Sequence, residues 1–144
     1  MVEVYTTIVI ISLVTLTAYN FHKNATNKIW SVLSNKYGCN SRNYDKSGKL
    51  EMIFFWHENA PNEIDYFNSM YISPSSTGIL IYPPINNFTV KSILIPWPEL
   101  SIDGTKYYFL RNRLKVKVGN TGVYISLLCR WKSEFIKYNA EKST

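Results

Sequence analysis

The chain has 144 residues, of which 46% are hydrophobic and 15% aromatic, so its composition excludes an intrinsically disordered protein. The net charge of +6 is uneven, because residues 106–144 contain nine Lys or Arg and two Asp or Glu, whereas residues 1–105 contain seven and eight. The sequence contains no phosphate-binding glycine loop and no metal-ligand spacing, so we expect neither a cofactor nor a metal ion.

The first feature along the chain is an apolar segment from Val4 to Phe21, eighteen residues without a charged side chain. A helix rises about 1.5 Å per residue, and about 20 apolar residues are needed to cross the hydrocarbon core of a bilayer. The segment therefore predicts a transmembrane helix, with residues 1–23 as a membrane anchor. Its anchoring residues would be Tyr5, Ile8, Ile11, Leu13, Leu16 and Tyr19. A signal peptide and a buried core helix are the alternatives, but the segment lacks both a basic start and a polar face.

The charges beside this segment predict its orientation. Glu3 precedes it, whereas Lys23 and Lys28 follow it, so the positive-inside rule places residues 22–144 in the cytoplasm. This predicts a single-pass protein of the inner (plasma) membrane with reduced cysteines. A periplasmic domain is the alternative, and it would predict a disulfide between Cys39 and Cys129.

A single α+β domain is predicted over residues 24–139, followed by a flexible tail over residues 140–144. Helical spacing of apolar residues between Asn24 and Tyr37 predicts a short amphipathic helix. Turn residues then separate seven predicted strands, and residues 131–138 predict a C-terminal helix. The fold class is therefore an antiparallel sheet or small barrel closed by that helix. The predicted strands are Leu50–Trp56, Ile64–Ile72, Gly78–Tyr82, Ser92–Trp97, Tyr107–Leu110, Lys115–Val118 and Val123–Leu128.

Two motifs resemble a group of small bacterial membrane proteins of unassigned activity, which have one N-terminal helix. Trp30, Leu33 and Tyr37 fit their Trp-x-x-Leu-x-x-x-Tyr helix, and Ile95-Pro96-Trp97 fits their mid-domain Ile-Pro-Trp segment. Gly78 resembles the glycine that leads the preceding strand. In strand number and terminal helix the chain also resembles bacterial pleckstrin-homology-like (PH-like) domains. The resemblance implies a membrane-tethered PH-like module and brings no catalytic residue.

The sharpest local pattern is a row of four cations, Arg111, Arg113, Lys115 and Lys117, at alternate positions of a predicted strand. Alternate residues of a strand share one face, so the four side chains would lie side by side. The row predicts either a solvated edge strand or a contact with an anion, which could be a lipid headgroup or an acidic protein. Nucleic acid is an unlikely partner, because no motif of stacking aromatic residues accompanies the row.

The acidic residues Glu51, Glu58, Glu63 and Asp65 are predicted to point outward or to pair with the basic strand, and acid–base chemistry by a carboxylate pair is the alternative. We expect a non-enzymatic interaction module at the cytoplasmic membrane face, of an accessory, regulatory or immunity type. It would bind a protein partner or the anionic membrane surface. The alternative is a small membrane-bound enzyme that uses His57 with a nearby carboxylate.

Overall fold

Eight antiparallel strands form one sheet in the computed structural model, which describes residues 5–16, 28–40, 47–59, 66–84, 91–108 and 110–141. The strands are β1 (Gly38–Cys39), β2 (Lys49–His57), β3 (Tyr66–Pro74), β4 (Gly78–Tyr82), β5 (Ser92–Pro96), β6 (Leu100–Tyr108), β7 (Arg111–Val118) and β8 (Val123–Leu128). Their order in the sheet is β1-β5-β4-β3-β2-β8-β7-β6. Within the described part of the chain, three helical segments accompany the sheet: α1, which includes residues 5–16, α2 (Lys28–Tyr37) and α3 (Lys132–Glu141).

One face of the sheet packs against α2 and forms the hydrophobic core. Successive side chains of a strand point to opposite faces, and in β2 the core-facing residues include Ile53 and Phe55. Trp30 of α2 meets Phe55 edge to face, with 5.9 Å between the ring centroids. The predicted amphipathic helix is confirmed over Lys28–Tyr37, since its apolar residues at helical spacing are the buried ones: Ile29, Trp30, Leu33 and Tyr37. Residues 24–27 of the predicted helix lie outside the described residues.

The sheet is strongly curved, because β5 and β6 lie far apart in the strand order but are joined by three residues, Trp97–Glu99. The backbone N–H of Gly119, in the β7–β8 turn, donates to the carbonyl oxygen of Glu99 at 2.6 Å. The hydroxyl of Tyr37 donates to Oε2 of Glu99 at 3.0 Å. Glu99 therefore connects α2 to the β7–β8 turn.

The C-terminal helix α3 packs against the connection between β5 and β6. Phe135 meets the ring of Trp97 edge to face, and Tyr138 stacks on it, each with 5.4 Å between centroids. The predicted C-terminal helix is thus confirmed, and it begins at Lys132.

The two halves of the sheet meet along a short seam between β2 and β8. Backbone pairing across this seam runs from Phe55↔Ile125 to His57↔Val123. Beyond that point the N–H of Phe54 donates to the side-chain Oγ of Ser126 at 3.1 Å. A side chain therefore takes the place of a backbone acceptor where the two strands diverge.

The predicted fold class is wrong in strand number, because the described residues form a sheet of eight strands rather than seven. The added strand is β1, two residues long, which lies outside the seven predicted strand ranges. The strand expected at Tyr107–Leu110 is instead β6, which begins at Leu100 and continues through Asp103-Gly104, two residues that are also common in turns. The register shifts between Ile102 and Thr105, and Gly104 has a φ of 95°. A Gly with positive φ is typical of a β-bulge as well as of a turn, so the sequence signal was ambiguous.

The predicted transmembrane span is also wrong. None of the helices among the described residues combines the length and the apolar character that a bilayer crossing requires. Of the proposed anchoring residues, Tyr5, Ile8, Ile11, Leu13 and Leu16 lie exposed on α1, and Tyr19 lies outside the described residues. The single-span membrane partner, the inner-membrane localisation and the tether of a PH-like domain are corrected with it, because each depended on that span.

Candidate functional site

The four cations of the basic strand occupy three different environments. Lys115 Nζ lies 2.8 Å from Asp103 Oδ2, and Lys117 Nζ lies 3.4 Å from Glu58 Oε2. The bonded Lys115 lowers the pKa of the Asp103 carboxyl below its ordinary value. Both ammonium groups also lie over the ring of Tyr124, which places them on the side of the sheet opposite the core. These two lysines are therefore already paired within the chain.

Arg113 is buried, with 4% of its surface exposed, and fills the gap where β8 diverges from β2. Its Nε donates to Ser126 Oγ at 3.1 Å, and a terminal nitrogen donates to the carbonyl oxygen of Met52. Burial lowers the pKa of the guanidinium, and the nearby carboxylate of Glu51, 3.6 Å away, opposes that shift. Arg113 is thus a structural cation that joins the two halves of the sheet.

The carboxylate of Glu51 is the acceptor at the centre of this gap, with 2% of the side chain exposed. Oε1 accepts from the backbone N–H of Leu128 at 3.0 Å. Oε2 accepts from Trp131 Nε1 at 2.8 Å and from a terminal nitrogen of Arg130 at 2.9 Å. We call Glu51, Arg113, Ser126, Arg130 and Trp131 the polar wedge. The interpretation that acidic residues pair with the basic strand is confirmed for Glu51 and Glu58.

The outer face of the sheet carries a second layer of aromatic rings beside the wedge. Tyr108 stacks on Phe54 with 5.5 Å between centroids and lies 6.0 Å from Trp56. Tyr124 stacks on Trp56 with 5.8 Å between centroids and an interplanar angle of 5°. Because Tyr108 ends β6, this packing holds the β6–β7 hairpin against the sheet.

The end of the β6–β7 hairpin presents two large apolar side chains to solvent. Leu110 is 87% exposed and has a φ of 60°, the left-handed region that favours Gly or Asn. Tyr107 is 63% exposed. Arg111 is exposed and forms no ion pair with a carboxylate among the described residues. We call Lys106, Tyr107, Leu110 and Arg111 the hairpin tip.

The hairpin tip continues on one side into the turn that precedes α3. Tyr107 is paired in register with Asn112, and the Asn112 carbonyl oxygen accepts from Cys129 Sγ at 3.2 Å. Cys129 is exposed, as are the neighbouring Arg130 and Lys132. Both Cys39 and Cys129 are free thiols, so the disulfide of the periplasmic alternative is not formed.

His57 and Glu58 lie together at the end of β2, beside the β7–β8 turn. The N–H of Glu58 donates to the carbonyl oxygen of Gly122 at 2.8 Å, and the Glu58 carboxylate pairs with Lys117. The other acidic candidates, Glu63 and Asp65, lie outside the described residues. Within the described ranges, His, Cys, Asp and Glu do not cluster in a way that could hold a metal ion.

An open pocket of about 320 Å³ lies between α3 and the turn that joins β3 to β4. Trp97 forms one wall, and its Nε1 donates to the carbonyl oxygen of Ser75 at 2.9 Å. The remaining lining residues are Pro74, Ser76, Glu134, Lys137 and Tyr138. Since its charged residues carry opposite signs, the pocket has no marked electrostatic preference.

Comparisons of the chain with known protein families, with curated proteins and with solved structures find no match. The resemblance of Ile95-Pro96-Trp97 to bacterial membrane proteins receives no support from them. In the structure Ile95 and Pro96 end β5, and Trp97 begins the turn that leads into β6.

Sequence reasoning missed the hairpin tip. The signal was a run of four bulky apolar residues, 107–110, placed between two cations, Lys106 and Arg111. We interpreted this run as a strand because aromatic residues favour strands. A run that contains no turn-forming residue, directly before another strand, indicates that the chain must turn on an apolar side chain.

Proposed function

We propose that this chain is a non-enzymatic protein-binding module whose binding surface is the hairpin tip. The observation that carries the proposal is Leu110, which is almost fully exposed and adopts a left-handed backbone conformation. Large apolar residues that are exposed beside cations are characteristic of binding surfaces, because burial in a complex recovers the hydrophobic free energy.

Two features of Leu110 have an unfavourable free energy. A left-handed conformation costs a residue with a Cβ about 1–2 kcal/mol. Leaving a Leu side chain in water forgoes about 1.5–3 kcal/mol that burial would provide. A Gly or Asn would make the same turn without either term. A role in binding accounts for a Leu at this position, whereas a role as a simple turn does not.

The hairpin tip is also held in place before any partner arrives. Tyr108, directly after Tyr107, stacks on Phe54 and lies near Trp56, both of which are buried. Lys106 lies over the ring of Tyr108 at 5.0 Å from its centroid. A surface that is already ordered loses less conformational entropy on binding, which favours affinity.

A photo-crosslinking experiment tests the proposal. Benzoylphenylalanine is placed at Tyr107 of the full chain in its native cells, and the matched control carries it at Ile136, which is 58% exposed on α3. We expect a discrete crosslinked protein from position 107 that is absent from position 136 and is lost when Leu110→Asn is added. Equal crosslinking patterns from the two positions, or a product that Leu110→Asn leaves unchanged, would contradict the proposal.

A further inference from the structure

We infer that the partner surface is an apolar pocket bordered by carboxylates, and that the interface extends from the hairpin tip to the turn around Cys129. The inference rests on the proposed function and names the chemistry of the protein that binds there. It is carried by the charges that surround the exposed apolar side chains and by the contact that joins the hairpin to α3.

Among the described residues, the charged neighbours of Tyr107 and Leu110 in the chain are the cations Lys106 and Arg111. Strand alternation and the pairing of Tyr108 with Arg111 place these two cations on the face opposite Tyr107, so a pocket that encloses the end of the hairpin contacts both faces. On the adjacent turn Arg130 is paired with the buried carboxylate of Glu51, and Lys132 is exposed. The acidic residues Asp103 and Glu58 neutralise Lys115 and Lys117, which lie farther along β7 from the tip. A partner with carboxylates around its pocket complements this charge, whereas a basic partner would be repelled.

The contact between Asn112 and Cys129 sets the extent of the interface. Asn112 is paired with Tyr107 across the hairpin, and its carbonyl oxygen accepts from Cys129 Sγ. A protein that covers Tyr107 therefore approaches the exposed thiol of Cys129. The second thiol, Cys39, is half-buried on β1 at the other edge of the sheet, where burial raises its pKa.

A shaped protein pocket fits these observations better than the other occupants. Two copies of this chain would bring two basic surfaces together, which like-charge repulsion disfavours. A fluid lipid surface adapts to any apolar side chain and gains little from a preorganised turn. A strained but ordered backbone is an advantage only against a surface that has its own fixed shape.

The test uses a displayed library of small folded peptides, each with a randomised surface pocket, selected on the full chain and counter-selected on Leu110→Asn. We expect the enriched peptides to place Asp or Glu around an apolar pocket. Arg111→Glu should weaken binding of the best peptide about tenfold, and added salt should weaken it further. The matched control is Lys137→Glu, which reverses a charge in the open pocket beside α3 and should leave the affinity unchanged.

The alkylation rates of the two native cysteines map the extent of the interface without any mutation. The enriched peptide should slow the alkylation of Cys129 by iodoacetamide and leave the rate at Cys39 unchanged. Equal protection of both thiols, or none at Cys129, would overturn the proposed extent of the interface.

The outcomes separate this inference from the proposed function. Enriched peptides that require Leu110 but are neutral or basic would overturn the acidic partner and leave the hairpin tip as a binding surface. A dimer in sedimentation that Leu110→Asn abolishes would replace the acidic partner with a second copy. The absence of any Leu110-dependent enrichment overturns the inference as well. If the chain then binds phosphatidylglycerol vesicles through Leu110, the protein-binding proposal falls with it.

Discussion

Arg111 and Arg113 lie two residues apart on β7, on the same face by strand alternation, and yet have opposite environments. Arg113 is buried, donates to Ser126 and Met52, and lies beside the carboxylate of Glu51. Arg111 is exposed at the hairpin tip and has no carboxylate partner among the described residues. The two arginines show that position along a strand determines which face of the sheet a side chain occupies. Whether the side chain is buried or exposed there depends on how the neighbouring strands are placed, here on the gap between β2 and β8.

The largest expected effect is at the centre of the polar wedge. Glu51→Ala leaves the buried guanidinium of Arg113 uncompensated and removes the acceptor of Leu128 N–H and Trp131 Nε1. We expect the free energy of unfolding to fall by about 3–5 kcal/mol, the usual effect of breaking a buried ion pair. Urea denaturation followed by tryptophan fluorescence measures it.

Glu51→Gln is the control for this prediction. It keeps a carbonyl acceptor but removes the charge, so it should be less destabilising than Glu51→Ala. If both variants unfold at the wild-type urea concentration, the polar wedge does not join the two halves of the sheet.

The next prediction compares the stability contributions of Arg113 and Arg111 directly. Arg113→Met retains most of the buried side-chain volume but removes the donors to Ser126 and Met52, and we expect it to lower stability by about 2 kcal/mol. Arg111→Met should change stability by less than about 0.5 kcal/mol, as for most surface substitutions. Similar losses for both variants would show that the two arginines share one structural role. The same denaturation assay measures the pair.

A smaller effect of opposite sign is expected at Leu110. Leu110→Asn should raise the free energy of unfolding by about 1 kcal/mol, because Asn tolerates a positive φ that is unfavourable for Leu. Leu110→Val, with a β-branched side chain at the same φ, should be less stable than wild type. Thermal unfolding of the three proteins checks this order. A destabilised Leu110→Asn would mean that Leu110 makes a structural contribution within the domain.

The smallest effect concerns pH and Glu99. The hydrogen bond from Tyr37 and then that from Lys36 lower the pKa of this carboxyl below its ordinary value of 4.5. A carboxyl with a lowered pKa in the folded state stabilises the protein above pH 4.5, and this contribution is lost as the pH falls through the lowered pKa. Unfolding followed from pH 5 downward should therefore be less pH-dependent in Glu99→Gln than in wild type. Parallel pH profiles would exclude a contribution from Glu99.

The elements that could be predicted from sequence are those with local signals. Gly78–Tyr82 and Val123–Leu128 were predicted with the bounds that the structure has, because turn residues stand on both sides of each strand. The helix ending at Tyr37 followed from the spacing of its apolar residues. In each case the information lies within a few residues of the element.

The errors came from features that depend on distant residues or on length. The burial of Arg113 could not be predicted from β7, because it follows from the gap between β2 and β8. The membrane span was predicted from an apolar run of eighteen residues, whereas no helix among the described residues is both long and apolar enough to cross a bilayer. At the hairpin tip, strand propensity over residues 107–110 concealed a turn that has no Gly, Pro, Asn or Asp.

The position of the seam has a consequence for the growing polypeptide on the ribosome. Strand β2 contains Ile53-Phe54-Phe55-Trp56, and its neighbour across the seam, β8, ends 71 residues after His57. At 5–20 residues per second, translation takes about 4–14 s to cover that distance. During this interval one edge of an aromatic strand lacks its native neighbour, and such edges promote aggregation. Chaperones that act on nascent chains are therefore expected to bind this chain between the synthesis of β2 and that of β8.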